Sequence, residues 1–171
     1  AAHATVAQAG LADDAVILST TPPGSFAGIA LTLLPWLIAG GTLALHHGFD
    51  PAAFAEQART HEASTVILPG PALAPLADAG LLDAPVRTIL AFWRAPERLS
   101  AAAPWQRAAA PVDVACSGET DLHATRRGHD GLPAPAPPGA AAGLIAVGGY
   151  RLRLSEVEAA VAAIDPAAVV A

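Results

Sequence analysis

GSFAGIALTLLPWLIAGGTLAL, Gly24 to Leu45, runs for twenty-two residues without a charge, long enough to cross a bilayer as one helix. Its breakers point elsewhere. Pro35 and the pair Gly40-Gly41 divide it into shorter pieces, and neither flank carries the basic residues that orient a membrane span. The stretch therefore reads as a buried helix over Gly28 to Ala39, a tight turn, and a buried strand over Thr42 to Leu45.

Outward from it the same alternation continues. Ala15 to Ser19 reads as a strand, and Asp50-Pro51 supplies an N-cap and first-turn proline for a helix to about His61. Ser64 to Leu68, Val86 to Ala91 and Val112 to Cys116 follow as strands. Helical patterns separate them at Pro71 to Ala79 and Pro96 to Ala103. Strands alternating with helices predict an α/β fold with a mostly parallel sheet and flanking helices.

From Gly128 to Gly143 the composition shifts to GHDGLPAPAPPGAAAG, which suits a stiff linker. The expected division is a main domain over residues 1–130, a Pro/Ala-rich junction over 131–144, and a short C-terminal unit over 145–171. That last unit, too short for a core of its own, contains GGYRLRLSEVEAAV, Gly148 to Val161. Its glycine pair permits hinge-like backbone angles. Tyr150, Leu152 and Leu154 alternate with arginines as in a strand, and Ser155 and Glu158 have capping-box spacing ahead of a helix carrying Val157, Val161 and Ile164 on one face.

A net charge of −6 and nine scattered arginines exclude the clustered positive charge that nucleic-acid binding requires. The chain contains no lysine, methionine or asparagine. Its single cysteine, Cys116, forms no internal disulfide and fits a reducing, cytoplasmic setting. No basic n-region of a signal peptide precedes Ala12. His46 and His47 fall on opposite faces if the strand continues through them, and the remaining histidines lack ligand spacing, so a zinc site is not expected. Neither serine nor cysteine carries a nucleophile-elbow signature, and no residue is assigned as catalytic.

The run Ile145-Ala146-Val147-Gly148-Gly149-Tyr150-Arg151, followed by Glu156-Val157-Glu158, resembles the start of the small C-terminal domain of the adenylate-forming enzymes. These comprise acyl-CoA synthetases, adenylation domains of peptide synthetases, and luciferases. Ala146 stands where that pattern has lysine. A second resemblance is the loop Cys116 to Asp121, similar to the family's Y-G-x-T-E signature, with Ser117 at the aromatic position, Gly118 and Thr120 matching, and Asp121 for glutamate.

The resemblance implies nucleotide binding by Ser117, Gly118 and Thr120, and a Mg²⁺ ligand in Asp121. Ser117 removes the ring that stacks on adenine in the family. The plain alternative is a strand-ending turn that satisfies its own backbone. Ala91 to Pro96 stands where the family has a Gly-Gly-Ala pattern whose bare backbone lies against adenine. Phe92 and Trp93 here either occupy the nucleotide site or pack as core aromatics.

Gly24, Ser25 and Phe26 sit where acyl-CoA synthetases line the acyl pocket, although a turn into a buried helix accounts for them equally. Gly148, Gly149, Tyr150 and Arg151 correspond to the hinge and thiol channel. The implied cofactors are ATP/AMP and Mg²⁺, and the implied partners are a carboxylic acid and CoA or a carrier protein, with no nucleic acid or membrane span. Oligomeric state is left open.

The family's phosphate loop, ribose-binding aspartate and C-terminal lysine have no counterpart in these residues. The expectation is either an incomplete piece of an AMP-forming ligase or a degenerate member. Its alternative is a non-catalytic scaffold, or a protein that binds acyl groups or carrier proteins.

Overall fold

The computed structural model of the protein describes residues 2–83, 85–95, 98–99, 104–119, 121–135, 144–147 and 150–165. After a helix α1 (Ala2–Ala9), strand β1 (Val16–Ser19) leads through a loop to a π-helical segment (Gly28–Leu33) that continues as α2 (Leu34–Ala39). Next come β2 (Thr42–Leu45), α3 (Pro51–Thr60), β3 (Thr65–Pro69), a 3₁₀ turn (Gly70–Ala72) and α4 (Leu73–Asp78). Strands β4 (Thr88–Trp93), β5 (Ala110–Ser117) and β6 (Asp121–Arg126) complete one sheet. A separate hairpin, β7 (Leu144–Val147) and β8 (Tyr150–Arg153), precedes α5 (Leu154–Ile164).

The six strands lie in the order β2-β1-β3-β4-β5-β6. All neighbouring pairs are parallel except β5 with β6. The fold is thus α/β with a mostly parallel sheet. Both faces are covered, which is why the central strands are continuous apolar runs rather than alternating ones. One face packs Leu18, Val66, Leu68 and Ile89 beneath Phe54 of α3 and Leu73, Leu76 and Ala77 of α4. The other packs Ile17, Ile67, Leu90, Val112 and Val114 beneath Ala9 of α1 and Ala27, Ala30 and Leu31 around the π-helical segment.

The Gly24–Leu45 stretch breaks at its glycines as its sequence predicts. Gly41 has φ +81°, and a Cβ there would lie 2.2 Å from the Ala15 carbonyl oxygen, so only glycine lets the chain turn tightly into β2. Among the described residues no helix is long and apolar enough to span a membrane. The Asp50 cap also forms, its carboxylate accepting the Ala53 N–H at 2.7 Å.

Several boundaries differ from expectation. Strand β4 begins later and runs through Phe92 and Trp93, because both side chains find buried positions on opposite faces. The expected helix over Pro71 to Ala79 splits into a 3₁₀ turn and the short α4. β2 ends at Leu45, so His46 and His47 lie beyond the strand. Most of the helix expected over Pro96 to Ala103 lies outside the described residues.

Helix α1 and strand β6 carried too weak a pattern to be anticipated. Their partners supply the reason they form. The Arg126 guanidinium donates to the Gln8 carbonyl at 2.9 Å, the Arg126 N–H donates to the Gln8 side chain, and the Thr88 hydroxyl donates to the Ala9 carbonyl.

The capping box does not form. α5 starts two residues earlier than expected, with Arg153 at the N-cap and no side-chain cap, since Leu154 is drawn into a buried position. That leaves Ser155 inside the first turn and Glu158 in an ion pair with Arg98. The residues at 128–131 are not free linker either. The Trp105 N–H donates to the Gly131 carbonyl at 2.9 Å, and the buried Arg127 side chain donates to the same oxygen.

Candidate functional site

Parallel strands place all their carboxyl ends on one edge, and in open α/β sheets ligands bind there, where strand order reverses. Here the reversal lies between β1 and β3, whose successors run to opposite sides. The Thr21–Phe26 loop leaves the end of β1, Gly70 follows β3, Trp93 ends β4, and the Gly118 turn follows β5. The positions singled out from the sequence at 24–26, 92–93, 117–118 and 121 therefore belong to one edge, although they are spread over about a hundred residues.

At the end of β1 three buried hydroxyls close a triangle. Ser19 and Thr21 oxygens lie 2.7 Å apart, and each is 2.8 Å from Thr32 of the π-helical segment. One donor and two lone pairs per hydroxyl allow a closed ring, and the Thr21 N–H adds a bond to Ser19. The triangle ties the start of the 21–26 loop to the helical segment beside it. In that loop the Ser25 hydroxyl donates to the Pro22 carbonyl at 2.7 Å and accepts the Gly28 N–H at 3.0 Å. It thus caps the helical turn. Phe26 is half-buried against the cluster that includes Phe92 and Cys116, and Gly24 is exposed with open space around it.

At the end of β4 and the middle of β5 lies a buried ion pair. Arg127 Nε donates to Asp113 Oδ2 at 2.7 Å and Nη2 donates to Oδ1 at 3.0 Å, with both side chains 2% exposed. The Trp93 indole N–H adds a third bond to Asp113 Oδ1 at 2.9 Å. Bidentate geometry and complete satisfaction make such a pair tolerable in a core. The Trp93 ring is held so close to Gly70 that a Cβ there would lie 2.3 Å from it. No pattern in the sequence marks this network, since Asp113 sits inside an otherwise apolar strand and Arg127 lies fourteen residues away.

The hairpin from β5 to β6 pairs Ser117 with Asp121 and Cys116 with Leu122. The anticipated loop is thus shorter than expected: Cys116, Ser117 and Asp121 are strand residues, and Gly118 turns the chain with φ +64°. Thr120, Gly148 and Gly149 lie outside the described residues. Tyr150 is exposed at the start of β8, where it pairs with Val147, and Arg151 pairs with Ala146.

Cys116 is buried, and loss of solvation pushes its thiol up to about 12, partly opposed by the charge of Arg94. At about pH 8 this lowers the thiolate fraction about a thousandfold relative to an ordinary thiol. The expected result is that a soluble disulfide reagent labels the native protein slowly and the denatured protein at once. Rapid native labelling would contradict the burial. The same shift favours the folded state below about pH 9 and is lost as pH rises toward about 12.

Does this edge fit the nucleotide that the resemblance implies? An adenine cradle of bare backbone requires small residues at the end of β4. Phe92 and Trp93 are 8% and 7% exposed and lie on opposite faces, with Trp93 pinned by Asp113 and Gly70. They are core aromatics, and this strand end does not match a bare-backbone cradle. Among the described residues no group of three or more His, Cys, Asp or Glu is placed to hold a metal ion.

No protein-family model matches the chain, and no curated protein does. Solved structures do match. The N-terminal domain of FACL13 from Mycobacterium tuberculosis aligns with TM-score 0.52 at 16% identity, covering 68% of this chain and 30% of that one. The o-succinylbenzoate coenzyme A synthetase MenE from Bacillus subtilis, solved with ATP and magnesium, aligns with TM-score 0.52 at 18% identity, covering 67% and 24%. The chain spans less than a third of the length of each of these two structures. At these identities the likeness is one of fold.

Proposed function

Starting from a chain that has the fold of part of the large domain of adenylate-forming enzymes, we propose that it descends from AMP-forming acid–thiol ligases of the acyl-CoA synthetase type. In this reading it retains their acid-binding scaffold and does not itself adenylate. The parent reaction couples a carboxylic acid to ATP, releases pyrophosphate and passes the acyl group to the thiol of CoA or a carrier protein.

The observation that carries this reading is the end of β4, where Trp93 fills the space above Gly70 and is fixed by Asp113. On the acid side, Gly24, Ser25 and Phe26 form a capped loop beside an apolar cluster, suited to hold an acyl group. Gly148 to Arg151 would stand by the thiol.

A second reading, a working ligase, is favoured by the β5–β6 turn. In that reading Ser117, Gly118 and Thr120 would serve the nucleotide and Asp121 the magnesium. Calorimetry with ATP and Mg²⁺ separates the two. Titration of the chain is expected to give no saturable heat, and a saturable isotherm would replace the first reading by the second.

A further inference from the structure

On the α4 side of the sheet, away from the π-helical segment, a half-open cleft of about 640 Å³ lies between α4 and the segment at 104–107. Its size falls within the range of small-molecule sites. Trp93 and Trp105 line it together with Leu73 and Ala77 of α4. Both indole N–H groups are already engaged, Trp93 with Asp113 and Trp105 with the Ala109 carbonyl at 2.6 Å. What the indoles offer a ligand is therefore ring surface rather than hydrogen bonds, most of it from the half-buried Trp105, since Trp93 is only 7% exposed.

Among the described residues, the charged groups lining the cleft are two arginines and one aspartate. Arg127 is held by Asp113 and the Gly131 carbonyl. Arg107, from the 104–107 segment, reaches Asp78 at the end of α4 at 2.9 Å, closing the mouth with an ion pair. Asp78 is the more solvated partner, at 79% exposed against 39% for Arg107, so a competing anion can take the arginine while Asp78 returns to water at small cost. Planar apolar walls with a cation at the mouth specify the occupant.

We propose that this cleft binds a small planar aromatic carboxylate, its ring against the Trp93 and Trp105 indoles and its carboxylate on Arg107 in exchange for Asp78. The site lies on the opposite face of the sheet from the Gly24–Phe26 loop and does not depend on the reading of that loop.

Calorimetry of the full chain with 2-naphthoate tests this. A saturable isotherm is expected. Arg107→Gln should weaken it about tenfold, by removing a charge-assisted bond, whereas Asp78→Asn should tighten it about two- to fivefold, by releasing Arg107. Ala74→Trp, at an exposed α4 position on the cleft wall, should abolish binding with the melting temperature retained. The proposal fails if 2-naphthoate gives no saturable heat up to about 1 mM, or if the 2-naphthylmethylammonium ion binds equally well. It also fails if the isotherm ignores both Arg107→Gln and Ala74→Trp, which would place the ligand elsewhere.

Discussion

Asp113→Ala is expected to destabilise the protein by about 3–5 kcal/mol, because it removes the carboxylate that holds the buried Arg127 guanidinium through two hydrogen bonds. Arg127 and Asp113 side chains are each 2% exposed and share two hydrogen bonds. The substitution also removes the acceptor of the Trp93 indole. For a chain of this size the melting temperature should fall by roughly 10 °C or more, measured by circular dichroism.

A companion variant tests the physical reason. Replacing both partners by apolar residues, Asp113→Leu with Arg127→Met, removes the buried charges together and should recover much of the loss. If Asp113→Ala melts within a degree or two of the parent, the pair does not organise this part of the core.

Phe54→Ala should cost a comparable amount, about 3–5 kcal/mol, for a different reason. Phe54 is fully buried under the sheet face formed by Leu18, Val66 and Leu68. It also meets His46 edge-on at 5.6 Å and Phe49 at 5.9 Å between ring centroids. Truncation leaves a cavity that α3 cannot collapse into, because its start is fixed by the Asp50 cap and its middle by the Gln57 bond to His46. Phe49→Ala, at a side chain 47% exposed, is the control and should change stability by less than about 1 kcal/mol. Equal effects in urea unfolding would mean that the aromatic group acts as a surface cluster rather than through Phe54 in the core.

Both predictions concern residues that differ in how visible they are in the sequence. Phe54 lies on the apolar face of a helix whose start is announced by Asp50-Pro51, so its burial is readable from spacing alone. Asp113 looks out of place in the strand Val112 to Cys116, and nothing local says where its partner is. Arg127 comes from the far side of a hairpin whose second strand, β6, offers only Leu122 and Ala124 as buried or half-buried apolar positions. A pattern that thin is decided by pairing with β5.

The candidate site divides in the same way. That the Gly24 to Phe26 loop and the Gly118 turn lie on one edge follows from parallel strand order, which alternation of strands and helices already implies. Phe92 and Trp93 were open between site and core in the sequence. The choice was made by Asp113 and Gly70, residues twenty or more positions away. The capping-box spacing at Ser155 and Glu158 was locally sound, yet burial of Leu154 and the contact between Glu158 and Arg98 outweighed a cap contributing about 1 kcal/mol.

By itself, then, the sequence determined the α/β class and the break of the charge-free stretch at Gly40-Gly41. These depend on backbone sterics and hydrophobic period, which act within a few residues. Only the tertiary structure decided that the β4 end is filled, that Arg127 and Asp113 meet beneath it, and that a cleft opens beside α4. Each of these rests on which distant side chain occupies a given volume, and close packing settles that across the whole core at once.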